Sequence, residues 1–193
     1  VLLHIAELCD GLRCDMAMLI LKRIQRRIWE ERVFGGNKFT ECKSEFWEEA
    51  IAYVKKSYPD FIFAAEVYWG LENELMELGF DYVYDKFFYD FLRDSNIDRL
   101  RDYLTEPQET ASKKLKFIEN HDEGRAVSIF GIEKSKAAAF LTALAPGAHL
   151  YHQGQLEGFK VKLPVCLLRP LDEKIDEGML AFYEKLLLTL KNL

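Results

Sequence analysis

The 193-residue sequence lacks the features that mark several broad classes of protein. Its four cysteines, Cys9, Cys14, Cys42 and Cys166, form no Cys-x-x-Cys pair and no disulfide-framework spacing, so we expect buried, reduced thiols in a cytoplasmic chain. No set of His, Cys and acidic residues has zinc-ligand spacing, which predicts no metal. The longest apolar stretch near the start, residues 16–21, is far too short for a signal peptide or a membrane span.

Basic charge is scarce as well. The formal net charge of −6 argues against nucleic acid or an anionic membrane as a partner, because both require a basic surface. One basic cluster, Lys22-Arg23 with Arg26-Arg27, is interpreted as the solvated face of an amphipathic helix. No G-x-G-x-x-G segment or P-loop follows any predicted strand, so we expect no nucleotide cofactor.

Short apolar runs alternate with longer amphipathic stretches along the whole chain. Strands are predicted at residues 12–14, 61–65, 82–84, 115–118 and 149–151. Helices are predicted at 16–33, 44–56, 71–78, 87–103 (broken near Ser95-Asn96), 134–144 and 176–190, with a break at Gly35-Gly36-Asn37. This alternation predicts parallel β-α-β units, either in an open doubly wound sheet or in part of an eight-stranded β/α barrel.

Acidic residues follow four of the predicted strands: Asp15, Glu66, Asp85 and Asp122. In parallel β/α folds the active site lies at the C-terminal ends of the strands, so these acids should converge there. Such a cluster can hold a divalent cation, or it can perform acid/base and nucleophilic chemistry on a glycoside. Alternatively, each acid is the N-cap of the helix that follows its strand. Spacing alone does not decide between these uses.

Two of the acids have neighbours that suit opposite roles. Arg13 precedes Asp15 by two residues and therefore lies on the same side of the strand, where it can keep that carboxylate ionised and oriented. Glu66 follows an apolar run and precedes Tyr68-Trp69, and apolar surroundings disfavour its charged form. A retaining glycosidase needs one ionised and one protonated carboxyl group.

Three segments carry a resemblance to a known family. Gly11-Leu12-Arg13-Cys14-Asp15-Met16-Ala17 resembles the α-amylase-superfamily segment G-(aliphatic)-R-x-D-x-A, which holds the catalytic nucleophile. Phe63-Ala64-Ala65-Glu66-Val67 resembles the general acid/base segment of the fifth barrel strand, and Phe117-Ile118-Glu119-Asn120-His121-Asp122 is similar to F-x-x-N-H-D at the seventh. All three stand in the family's order.

The resemblance implies that residues 1–193 are the C-terminal half of a (β/α)8 glycosidase barrel, from its fourth strand to its eighth helix. The first three strands, the excursion that closes one side of the cleft and the C-terminal β domain are absent, and the chain begins without Met, as a fragment does. Because about five strands cannot close a barrel, we expect an inactive chain that associates with the missing half or with itself through exposed sheet edges.

The resemblance also implies an activity: retaining cleavage of α-glucosidic bonds in α-glucans or oligosaccharides. Asp15 would form the glycosyl intermediate, Glu66 would be the general acid/base, and Asp122 would stabilise the transition state. The expected substrate-binding residues are Arg13, His121, Asn120, Trp69, Asp85 and His152.

The alternatives are a glucan transglycosylase with the same intermediate and a non-catalytic carbohydrate-binding relative. Such relatives usually lack a catalytic acid, whereas all three acids are present here. Met18 and Leu19 stand where many starch-cleaving members carry Lys and His, so the ordinary endo-amylase specificity is not implied.

Overall fold

The computed structural model describes residues 1–35, 43–164, 166, 169 and 172–192. The chain divides into two compact units, Val1–Tyr84 and Asp85–Leu193. Cys42 and the predicted break at Gly36-Asn37 lie outside the described residues. Gly35, just before them, has a left-handed backbone and ends a helix, as a glycine at that position favours.

In the first unit, parallel strands alternate with helices as predicted. The elements are α1 (Leu2–Ala6), β1 (Gly11–Cys14), a 3-10 turn (Ala17–Ile20), α2 (Lys22–Phe34), α3 (Phe46–Lys55), β2 (Ile62–Ala65), α4 (Glu72–Glu77) and β3 (Tyr82–Tyr84). β1 pairs in parallel with β2, from Gly11 opposite Ile62 to Cys14 opposite Ala65. β2 pairs in parallel with β3. The C-terminal ends of the three strands therefore share one edge.

The core of this unit lies between β2 and the face of α3 that carries Trp47, Ile51 and Val54. The Trp47 ring packs edge-on against Phe80, with ring centroids 5.0 Å apart, and Phe80 in turn contacts Phe63 of β2. Such packing of buried aromatic rings stabilises the unit through area removed from water and through favourable ring geometry.

The prediction of one helix over residues 16–33 is wrong in its first part. Met16 has a left-handed backbone, Ala17–Ile20 form the 3-10 turn, and α2 begins only at Lys22. The reason is tertiary: the backbone N–H of Met16 donates to the Glu66 carboxylate at 2.7 Å, and that of Ala17 donates to the Glu66 carbonyl at 2.9 Å. These bonds to a neighbouring strand outweigh local helix propensity.

The second unit again alternates helices and strands. Its elements are α5 (Lys86–Arg93), α6 (Ile97–Tyr103), α7 (Gln108–Ser112), β4 (Lys114–Lys116), α8 (Ala126–Phe130), α9 (Ile132–Leu144), β5 (Ala148–His149) and α10 (Glu177–Lys191). β4 and β5 pair in parallel. The predicted break near Ser95-Asn96 is present, because Ser95 is left-handed and the Asn96 side chain caps α6.

The expectation of buried thiols is correct for Cys14 and wrong for Cys9 and Cys166, which are exposed. Cys9 lies in the turn after α1, where its Sγ donates to two backbone carbonyls instead of packing in the core. Burial raises the pKa of the Cys14 thiol from 9.0 to about 12, although the charge of Arg13 lowers it. In the described part of the chain, no helix is both long enough and apolar enough to cross a membrane.

Candidate active site

Arg13 joins two of the predicted acids in the first unit. One terminal nitrogen of its guanidinium, Nη1, lies 2.5 Å from Oδ1 of Asp15, and the other, Nη2, lies 2.9 Å from Oε2 of Glu66. The predicted contact between Arg13 and Asp15 is therefore present, and the contact with Glu66 is one that the sequence did not predict. The contact with Asp15 is a hydrogen-bonded ion pair, and the contact with Glu66 is an ion pair.

The surroundings of Arg13 favour its charged form. Burial lowers the pKa of the guanidinium, but hydrogen bonds with Tyr84 and Asp15 and the charge of Glu66 outweigh that effect, so the net shift is upward. The cation also lies over the Tyr84 ring, with Cζ 5.5 Å from the ring centroid. Arg13 is thus a permanent positive charge at the end of β1.

Glu66 and Asp15 differ sharply in exposure. Glu66 is only 3% exposed, whereas the Asp15 side chain is 78% exposed. The Glu66 carboxylate accepts hydrogen bonds from the Met16 N–H at 2.7 Å and from the Tyr68 hydroxyl at 2.9 Å. Its immediate surroundings are therefore polar and not purely apolar as predicted, although β2 beneath it is well buried. Tyr68, predicted only as part of an apolar surface, is a hydrogen-bond donor to this acid.

Trp69 follows on the same loop and is 57% exposed. Its φ of +66° and that of Gly70, +71°, are both left-handed, a conformation that costs a tryptophan roughly 1–2 kcal/mol. The Arg27 guanidinium lies over the indole, 5.9 Å from the ring centroid. The predicted sugar-binding tryptophan is thus exposed, and its backbone is strained.

In the second unit, Asn120, His121 and Asp122 form a tight turn after β4. The Asn120 side chain is buried, and its Oδ1 accepts from the N–H groups of Asp122 and Glu123 at 2.9 and 2.8 Å. This oxygen is therefore used to shape the turn. His121 and Asp122 are each more than one-third exposed and contact one another, with Nε2 3.1 Å from Oδ2. They are the residues of this turn that can reach a ligand.

Two residues that sequence reasoning did not single out anchor this turn. Glu119 and Arg125 form a buried ion pair in which Nη1 lies 2.7 Å from Oε1. His152, a predicted substrate contact, lies beside them, with Nδ1 3.3 Å from Glu119 and 3.0 Å from Arg125. The sequence shows only one acidic residue just before the turn and one arginine after it, and neither lies in a helical or strand pattern that predicts burial.

Asp85, the remaining predicted acid, is fully buried and has structural partners. It caps α5 by accepting from the Phe88 N–H at 3.1 Å, and it accepts from the Tyr103 hydroxyl at 2.6 Å. Its other oxygen lies 3.5 Å from the buried Nζ of Lys116, whose pKa is lowered by burial and raised in part by Asp85. These contacts are those of the helix-cap alternative, and the expectation that Asp85 binds substrate stays a prediction.

The structure also shows the surroundings of Met18 and Leu19, which stand where many starch-cleaving members carry Lys and His. Met18 is fully buried in the core of the first unit, and Leu19 packs against that core. The side chain at the first of these positions is therefore not available to a sugar. Over the residues that the structure describes, no group of three or more His, Cys, Asp or Glu side chains is arranged to hold a metal ion.

No protein-family model and no curated protein matches the chain. Solved structures do match it. The Nostoc punctiforme debranching enzyme superposes with a TM-score of 0.68 at 18% identity, over 99% of this chain and 43% of that one. An Anoxybacillus α-amylase gives a TM-score of 0.69 at 18% identity, over 100% and 43%, and an α-amylase from Lactobacillus plantarum gives 0.63 at 22%, over 98% and 46%.

The chain has the fold of part of an α-amylase barrel. Its structural neighbours are α-amylase-family glycoside hydrolases, which decides between the two layouts that the sequence left open and confirms the predicted partial (β/α)8 barrel. The chain spans less than half the length of each of these solved proteins.

Proposed function

We propose that this chain contributes the nucleophile and the general acid/base of a retaining α-glycosidase. The observation that carries the proposal is the single guanidinium of Arg13 in contact with both Asp15 and Glu66. Retaining glycosidases use two carboxyl groups about 5 to 5.5 Å apart, and a shared guanidinium keeps two carboxylates close together.

The two acids would divide their roles by exposure. A retaining mechanism needs a nucleophile and a general acid/base. We assign the nucleophile to the exposed Asp15 and the general acid/base to the buried Glu66. Asp15 then attacks the anomeric carbon, and Glu66 gives its proton to the departing glycosidic oxygen. In the second step Glu66 takes a proton from water, or from a sugar hydroxyl in transglycosylation, as that oxygen displaces Asp15.

Asp122 and His121 would bind the hydroxyl groups of the reacting sugar. Both side chains are partly exposed on a turn that is rigidly shaped by Asn120. Hydrogen bonds from a sugar hydroxyl to a carboxylate strengthen as positive charge develops on the ring, so they lower the barrier.

We propose α-glucans or α-linked oligosaccharides as the substrate class. The solved neighbours include the acarbose-soaked Nostoc debranching enzyme and a Geobacillus thermoleovorans α-amylase complexed with acarbose. The buried Met18 supports a specificity different from that of ordinary endo-amylases. Because the neighbours are more than twice as long, we propose that the chain alone does not cleave polymeric glucan and that it acts together with the remaining barrel strands. The free thiols support a reducing, cytoplasmic setting.

The test uses α-glucosyl fluoride, a single-sugar donor whose fluoride leaves without a proton. We expect Asp15 to acquire one glucosyl group, detected by peptide mass mapping, when the chain is combined with the missing barrel strands, and we expect none on the chain alone. The Asp15→Asn variant should acquire no glucosyl group. The Glu66→Gln variant should accumulate more glucosyl-enzyme, because hydrolysis of the intermediate loses its general base. Asp10→Asn, a change at a nearby exposed acid, is the matched control and should label like the parent. Labelling at a residue other than Asp15, or no labelling of the folded chain combined with the missing strands, contradicts the proposal.

A further inference from the structure

The turn that carries His121 and Asp122 is closed at its base by a buried ion pair. Glu119 precedes the turn and is 1% exposed, and Arg125 follows it and is 5% exposed. Besides its contact with Arg125, the Glu119 carboxylate accepts from the Ala126 N–H at 2.7 Å. The entry and the exit of the turn are thus bonded to each other through two charge-assisted hydrogen bonds.

Arg125 also bonds a second segment. Its Nη1 donates to the Gln153 carbonyl at 2.6 Å, and its Nε donates to the Val161 carbonyl at 3.1 Å. The neighbouring His152 contacts the same Nη1. From the other direction, Lys162 donates to the backbone carbonyl of Asp122. One buried guanidinium therefore connects the turn to residues 152–161.

The chemistry of this position requires an arginine. The three acceptors of Arg125 lie on two chain segments and are reached from two different nitrogens. A lysine ammonium is a single point on a flexible stem, so it cannot occupy both donor positions at once. Loss of one such bond would leave a buried carbonyl or carboxylate unsatisfied, which favours local opening of the turn.

We propose that Arg125 and Glu119 are positioning residues, which fix Asp122 and His152 relative to each other for binding one sugar. The part of this inference that concerns sugar rests on the proposed function; the fixing of the turn does not. Neither residue touches the reacting atoms. Their role is to hold the backbone from which Asp122 projects.

The experiment measures amide hydrogen exchange residue by residue in the parent chain, Arg125→Lys and Glu119→Gln. We expect the amides of Asp122 and Glu123 to exchange about ten- to a hundredfold faster in both variants, with no change in α9. Arg99→Lys, on the exposed face of α6, is the matched control and should change neither region. Glu119→Gln preserves the shape of the side chain, so its exchange rates test the positioning role if Arg125→Lys fails to fold.

A parallel titration with acarbose separates the two proposals. We expect about tenfold weaker binding in Arg125→Lys than in the parent. Unchanged exchange at Asp122 and Glu123 in a folded variant, or uniform acceleration throughout the second unit, overturns the positioning role. Failure of the parent chain to bind acarbose counts against the proposed function and leaves the exchange result to decide the positioning role.

Discussion

Replacing Arg13 by methionine removes the cation that contacts both Asp15 and Glu66. The variant keeps a side chain of similar length, so the main change is electrostatic. Glu66 would retain its two neutral donors, the Met16 N–H and the Tyr68 hydroxyl, but its buried carboxylate would lose the charge that compensates it. Asp15 is mostly exposed and would be solvated by water instead.

The expected loss in free energy of unfolding follows from the difference in exposure between Glu66 and Asp15. Breaking a fully buried pair costs about 3 to 5 kcal/mol. The Arg13 side chain is 29% exposed and Glu66 keeps two donors, so Arg13→Met should fall near the lower end, at about 3 kcal/mol. The exposed contact with Asp15 adds about 0 to 1 kcal/mol. For a chain of this size, 3 kcal/mol lowers Tm by about 6 to 12 °C. Adding Glu66→Gln to Arg13→Met removes the uncompensated charge, so the double variant should regain about 2 kcal/mol of the free energy of unfolding.

Urea and thermal unfolding followed by circular dichroism would measure both changes as a double-mutant cycle. Arg23→Met is the matched control, because Arg23 pairs with Glu74 on an exposed surface and should contribute less than about 1 kcal/mol. If Arg13→Met costs no more than Arg23→Met, or if Glu66→Gln gives no recovery, then Arg13 does not stabilise the chain by compensating the buried Glu66 carboxylate.

Three further predictions concern single sites. The pKa of Cys14 is about 12 in the folded chain and 9.0 ordinarily, so the unfolded chain loses this proton first as the pH rises. The free energy of unfolding should therefore fall from about pH 9 upward, and it should fall less steeply in Cys14→Ala. Mass mapping at about pH 8.5 should show Cys9 modified by iodoacetamide and Cys14 protected. Gly147→Ala should destabilise the chain by more than about 2 kcal/mol in urea unfolding, because Gly147 has a φ of +111° and an added Cβ would collide with two backbone carbonyls. Trp69→Ala should weaken acarbose binding about tenfold in calorimetry, whereas Trp29→Ala, a change at another exposed tryptophan, should not.

The sequence predicted the fold well because the fold depends on patterns of burial. The apolar run Phe61–Ala65 has the length of a strand and the apolar face of α3 repeats with the period of a helix, and the structure confirms both elements. The short helices α7 and α8 were not predicted, since one turn of helix is too brief to show a period. The start of α2 was misplaced because contacts with Glu66, fifty residues away, determine it.

The candidate site was predictable where a residue acts through its neighbour in sequence, as Arg13 does with Asp15. It was not predictable where polar groups meet across the fold. Asp85 and Asp15 both follow a strand, yet one is a buried cap and the other an exposed carboxylate. What separates them is the presence of Tyr103 and Lys116 near Asp85, and these lie eighteen or more residues further along the chain.

The left-handed backbone of Met16 limits which residues can replace it during evolution. The two amides at Met16 and Ala17 reach Glu66 only because the chain reverses direction immediately after Asp15. Glycine and asparagine adopt that conformation most readily, unbranched side chains tolerate it, and valine, isoleucine and threonine are nearly excluded. Descendants of this sequence should therefore vary freely in side-chain size at position 16 but avoid branching at Cβ, although the position contributes no side chain to the chemistry.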